Sequence, residues 1–153
     1  MIVLDGIDGV TAHVGLPVGT SPWMEVPQAL VDDFARVTGD DQWIHTDPAR
    51  AARDSPYGGT VAHGYLTLSL LPALTSEIYR IDGVKLVINY GLERVRFPHP
   101  LRVGRRMRLS IDFDSLTARE GRYELRSTAR FEAEDADRPV CIAQTIRMIV
   151  ADE

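Results

Sequence analysis

Asp40, His45 and His63 are the polar side chains of this chain best placed by type and spacing for chemistry. Asp40 and His45 stand five residues apart in a turn-rich segment, which lets both face one cavity. A carboxylate and an imidazole together hold a water molecule and exchange its protons near neutral pH, the requirement of general acid–base catalysis. Spacing alone leaves a turn or capping aspartate and a satisfied loop histidine as alternatives. The run Gly58-Gly59-Thr60-Val61-Ala62-His63-Gly64 adds backbone donors at a helix start, and Gly64 has no side chain to screen its amide. Such donors, aimed at a carbonyl, stabilise an enolate-like charge. A packing role for Gly64 stands beside that one.

Other chemistries find less support. Asp40, His45 and His63 offer nitrogen and oxygen ligands, but their spacing follows no local zinc pattern and no further Cys or His lies nearby, so no metal is expected. Cys141 falls in an alternating stretch without a neighbouring histidine, and Ser69 lies inside a helical stretch without a nucleophile elbow.

The elements that must position these residues are read from hydrophobic period. Val26 to Val37 places Leu30, Val31, Phe34, Ala35 and Val37 on one side of a helix, with Pro27 in its first turn and Gly39 closing it. Asp47-Pro48 reads as the cap and first position of a second helix through Arg53. Asp40 to Asp47 is then an ordered loop. Thr60 to about Arg80 is apolar on nearly every side, which predicts a long, mostly buried helix, with Pro72 as a point of kinking.

Beyond it the period changes to two. Lys85–Phe97, Met107–Phe113, Tyr123–Glu134 and Val140–Val150 read as strands, the last three with one wet face. A one-sided antiparallel sheet and an isolated apolar helix bury each other when the sheet curls around the helix. The expected fold is therefore α+β of the hot-dog type, an antiparallel sheet wrapped around a long central helix, as a single domain over residues 1–153. Its sheet edges make a homodimer the expected assembly.

Composition narrows the partners. The formal charge of -5 argues against nucleic acid, and the longest apolar stretch is shorter than the about 20 residues a membrane helix needs. One cysteine and no recognisable signal sequence fit a reducing, cytoplasmic setting. Charge is unevenly spread: Arg94, Arg96, Arg102, Arg105, Arg106 and Arg108 form a run without an acid. Such a stripe reads either as a solvated strand face or as a site for a phosphorylated ligand or acidic carrier.

Phe34-Ala35-Arg36-Val37-Thr38-Gly39-Asp40-Asp41-Gln42-Trp43-Ile44-His45-Thr46-Asp47-Pro48, with Pro56-Tyr57-Gly58-Gly59-Thr60-Val61-Ala62-His63-Gly64, resembles the MaoC-like (R)-specific enoyl-CoA hydratases. Leu68-Ser69-Leu70-Leu71-Pro72 and Asn89-Tyr90-Gly91-Leu92 through Val95-Arg96-Phe97-Pro98 are similar to the nodulation protein N-like branch. The resemblance implies a hot-dog homodimer that hydrates trans-2-enoyl thioesters of coenzyme A or acyl carrier protein, without metal or redox cofactor. It maps water-holding roles onto Asp40 and His45, and thioester polarisation onto the Gly64 amide. Gln42 and Trp43 replace the family's more common Asn-Pro pair. Substrate contacts are expected from Gln42, Trp43, Tyr57, His63, Tyr65 and Leu66, and phosphate contacts from Arg94 and Arg96. A hot-dog thioesterase and a non-catalytic acyl-thioester binding module are the alternatives.

Overall fold

A computed structural model describes residues 1–152. Short elements come first: β1 (Ile2–Asp5), α1 (Gly6–Thr11), β2 (Pro17–Thr20) and β3 (Met24–Glu25). The helices α2 (Gln28–Thr38), α3 (Trp43–Thr46), α4 (Pro48–Asp54), α5 (Gly64–Ser69) and α6 (Leu71–Ile78) follow. β4 (Tyr79–Asp82) then leads into the long strands β5 (Val84–Arg96), β6 (Arg106–Arg119), β7 (Arg122–Ala133) and β8 (Cys141–Ala151). Among the described residues no helix is long and apolar enough to cross a membrane.

The alternating residues form the strands their period predicts. Met107, Leu109, Ile111 and Phe113 of β6 are at most 1% exposed, and Leu125, Ala129 and Phe131 of β7 are fully buried. The order is β2-β6-β7-β8-β5, antiparallel at each contact, with β3 also on β6. β1 and β4 form a separate parallel pair. The N-terminal strands escape a periodicity reading because they are two to four residues long.

The central helix is shorter than the apolar run. Thr60–His63 is extended instead, since its backbone groups are taken by the segment beyond β5: Ala62 donates to the Leu101 carbonyl at 2.8 Å and Val103 to that of Thr60 at 3.0 Å. The helix also breaks at Leu70, and Pro72 sits in the first turn of α6, where its missing N–H leaves no bond unmade. Arg80 belongs to β4. One side of the pair, Leu66, Leu71, Leu74 and Ile78, packs into the core, with α5 against β8 and α6 against β6. The other side is open, and Tyr65 is 70% exposed, where burial on nearly every side was expected. Val37, expected on the inner face of α2, is likewise exposed.

Candidate active site

Gly39 ends α2 in the left-handed region, φ 77°, and its N–H closes on the Ala35 carbonyl at 2.8 Å. That turn, open to glycine at little steric cost, sends the chain back past the helix and presents Asp40. The loop expected between Asp40 and Asp47 contains the single turn α3, which carries His45 in its last turn. Asp47 caps α4 by accepting from the Arg50 N–H at 2.9 Å.

The structure joins the three residues singled out by type. Asp40, His45 and His63 each bring a ligand-capable atom within 4.8 Å of the others. The His45 and His63 rings stack with centroids 3.9 Å apart, and Phe34 packs on His63 at 5.1 Å. His45 Nδ1 lies 2.6 Å from the Val61 carbonyl, which only accepts, so Nδ1 donates and the neutral ring leaves Nε2 with its lone pair. His63 Nε2 donates to the Asp40 carbonyl at 2.9 Å and stands 3.9 Å from its carboxylate. At 2% exposure, His63 supports Asp40 rather than offering a surface to ligand.

Burial is the main force on the His45 ring and holds its pKa below the ordinary 6.5. The neighbouring His63 pushes in the same direction, while the Val61 bond and the Asp40 charge oppose it. The result is a neutral imidazole near pH 7. The same three residues are near enough to one another to approach a cation.

A residue that sequence reading passed over sets this loop. Gln28, at the start of α2, donates through Nε2 to the His45 carbonyl at 2.7 Å and accepts from the Thr60 hydroxyl at 2.7 Å. It ties α2, α3 and the extended Thr60 segment together. Only the fold brings residues 28, 45 and 60 to one place.

Gly64 begins α5 directly after His63, so its amide has no carbonyl to bond within the helix. The space where a side chain would stand belongs to Phe97: a Cβ on Gly64 would lie 2.9 Å from that ring. Packing against Phe97 therefore explains the glycine. Tyr65 crosses the same ring edge-on at 6.0 Å.

The remaining expected contacts separate. Gln42 is exposed and uses its carbonyl to receive the His45 N–H, while half-buried Trp43 lies under the Arg50 guanidinium at 4.4 Å. Tyr57 and Tyr65 are exposed, and Leu66, at 4%, belongs to the core. Half of the arginine stripe is neutralised by the acids of β7 and the turn after it. Arg105 meets Asp135 at 3.2 Å, Arg106 meets Glu134 at 2.7 Å and Arg108 meets Glu132 at 2.8 Å. Arg94 and Arg96 are exposed and enter no ion pair among the described residues. Cys141 is buried and its thiol is pushed up to about 12, which removes it as a nucleophile.

Comparisons with known proteins bear on the family and the fold. The chain is 43% identical to 3-hydroxyacyl-thioester dehydratase Z of Mycobacterium tuberculosis over 155 residues, covering 99% of this chain and all of the relative. It is 41% identical to nodulation protein N of Rhizobium leguminosarum over 149 residues, 94% of this chain and 90% of that one. Its fold matches R-hydratase PhaJ1 from Pseudomonas aeruginosa with a TM-score of 0.71 at 24% identity, covering 92% and 82% of the two chains, so the sheet around α5 and α6 is the hot-dog arrangement. The family model described as MaoC like domain matches residues 10–135, and the chain belongs to that family.

Proposed function

We propose that this chain is an (R)-specific enoyl-thioester hydratase. It adds water reversibly to trans-2-enoyl thioesters of coenzyme A or an acyl carrier protein and gives (R)-3-hydroxyacyl thioesters. The observation that carries this reading is the convergence of Asp40, His45 and His63 within 4.8 Å, with Nε2 of a neutral His45 left free by the Val61 bond. The similarity to the mycobacterial dehydratase supports it, and the (R) configuration follows from the family resemblance.

In this mechanism Asp40 and His45 hold one water. Its oxygen bonds to the β-carbon as the C=C π bond breaks, one proton goes to the Asp40–His45 pair, and the α-carbon receives a proton from the same pair. Charge that gathers on the thioester oxygen meets the Gly64 amide. The steps balance without a redox partner or a metal. Arg94 and Arg96, free of acids, are available to coenzyme A phosphates.

The working unit in this proposal is a cytoplasmic homodimer of one domain over residues 1–153. Among the described residues β5 is paired on one edge only, by β8, and its Leu86, Val87, Ile88, Tyr90 and Leu92 are 39–67% exposed. A 13-residue strand with exposed apolar residues and an open edge is a template for another chain, and a second copy satisfies it.

The direct test is loss of the enoyl absorbance of crotonyl-CoA with purified protein. Activity is expected, and Asp40→Asn or His45→Gln should lower kcat about 10²- to 10⁴-fold. Activity unchanged in both variants would overturn the assignment. Release of free thiol without hydration would mark a thioesterase instead.

A further inference from the structure

Strand alternation in β8 puts Cys141, Ala143, Thr145, Arg147 and Ile149 on one face, and all five are buried. Arg147 is the exception in chemistry. A guanidinium carries its charge throughout the working pH range, and removing it from water without a counter-ion is costly. It is 6% exposed. One terminal nitrogen donates to the Tyr79 hydroxyl at 2.5 Å, the other to Thr75 Oγ1 at 3.2 Å, and Nε donates to nothing. Both acceptors are neutral: burial raises the Tyr79 phenol above its ordinary value despite the adjacent cation, so it supplies no phenolate. The ion pairs among the described residues all involve other cations.

Arg147, a cation without an acid, lines two open spaces. Leu68, Leu71 and Pro72 from the helices, Leu92 from β5 and Ile146 from β8 line a groove of about 370 Å³ that reaches Arg147. A second depression of about 240 Å³, between Thr75, Tyr79, Ile81 and Val87, is also lined by Arg147. Apolar walls leading to a buried positive charge suit one chemistry, a carboxylate at the end of an aliphatic chain.

We infer that this groove holds the far end of an ω-carboxyl acyl chain, its methylenes on Leu68, Leu71, Pro72 and Leu92 and its carboxylate on Arg147. The inference rests on the thioester reading and names the substrate class within it. Gly64 on α5 and Thr75 on α6 are eleven residues apart across the break at Leu70, a span that would be roughly 16 Å for a straight helix and is shortened by any bend at the break, within the reach of a medium-length chain. A methyl-ended chain of that length would leave the guanidinium unpaired, which is the basis of discrimination.

Two measurements test it independently. Octanoate and octanol probe the groove without turnover: octanoate is expected to raise the Tm of the wild type and not of Arg147→Met, and octanol to leave both alike. Medium-chain 2-enoyl-CoA thioesters, ω-carboxyl against methyl-ended at equal length, probe it in turnover. The wild type is expected to favour the carboxyl substrate at least about tenfold in kcat/KM, mostly through KM, and Arg147→Met to lose that preference. An octanoate shift equal to that of octanol, as when a second copy's carboxylate already fills the site, overturns the inference. So does a wild type that hydrates methyl-ended thioesters without preferring the carboxyl ones. Failure to hydrate any thioester overturns the hydratase reading instead, and octanoate still decides the Arg147 site. Should Arg147→Met not fold, both wild-type comparisons keep their force.

Discussion

His45 is the residue whose state governs the proposed chemistry, and its surroundings give pH a direction. It must be neutral to take a proton, and burial holds its pKa below 6.5. The acid limb of kcat/KM should therefore have its midpoint below pH 6.5, as an initial-rate profile would show; a midpoint above that value would contradict the assignment. Stability follows with its own sign. Between the lowered folded value and the ordinary unfolded one, the unfolded chain binds more protons at this site, so stability falls as pH falls through that window. Gly64 is the second residue with a sharp consequence. Its Cβ position is 2.9 Å from Phe97, so Gly64→Ala should cost about 1–3 kcal/mol in denaturant unfolding and lower turnover by moving the amide. Adding Phe97→Ala should remove the difference between glycine and alanine at position 64.

At the scale of elements, local signals acted where they were strong. Asp47-Pro48 started α4, Gly39 closed α2, and the two-residue period produced β6, β7 and β8. Asp47→Ala, which removes the oxygen that accepts the Arg50 N–H, should cost about 0.5–2 kcal/mol by chemical denaturation. The apolar run from Thr60 misled for a definable reason. Periodicity reports which residues avoid water, not whether they do so in a helix or an extended segment. Pairing of Thr60–Ala62 with Leu101–Val103 decided the matter, and it depends on a neighbour about forty residues away.

For the whole molecule, Tyr65 of α5 and the apolar residues of the terminal strand β5 are exposed. Light scattering should give twice the chain mass, and Ile88→Lys, placing a charge in the exposed apolar strand, should shift the protein toward monomer. A wild type that stays monomeric at micromolar concentration would remove the dimer from the proposal. The charge pattern also changes meaning at this scale. Six arginines read as one basic stripe along the chain, but the β6–β7 register sets Arg106 and Arg108 against Glu134 and Glu132, and Arg105 meets Asp135 beyond it.

The amino-acid sequence by itself determined the α+β class, the four long strands of the sheet, the helix ends at Gly39 and Asp47, and Asp40, His45 and Gly64 as the residues to watch. Each of those is a local property of residue type, spacing or periodicity. Tertiary structure decided the rest: His63 as the support of Asp40, Gln28 as the tie on His45, Phe97 as the reason for Gly64, and Arg147 as a buried cation without an acid. Those depend on contacts between residues far apart in the chain, and the energy of a buried charge or a close ring contact exists only once the polymer has folded around it.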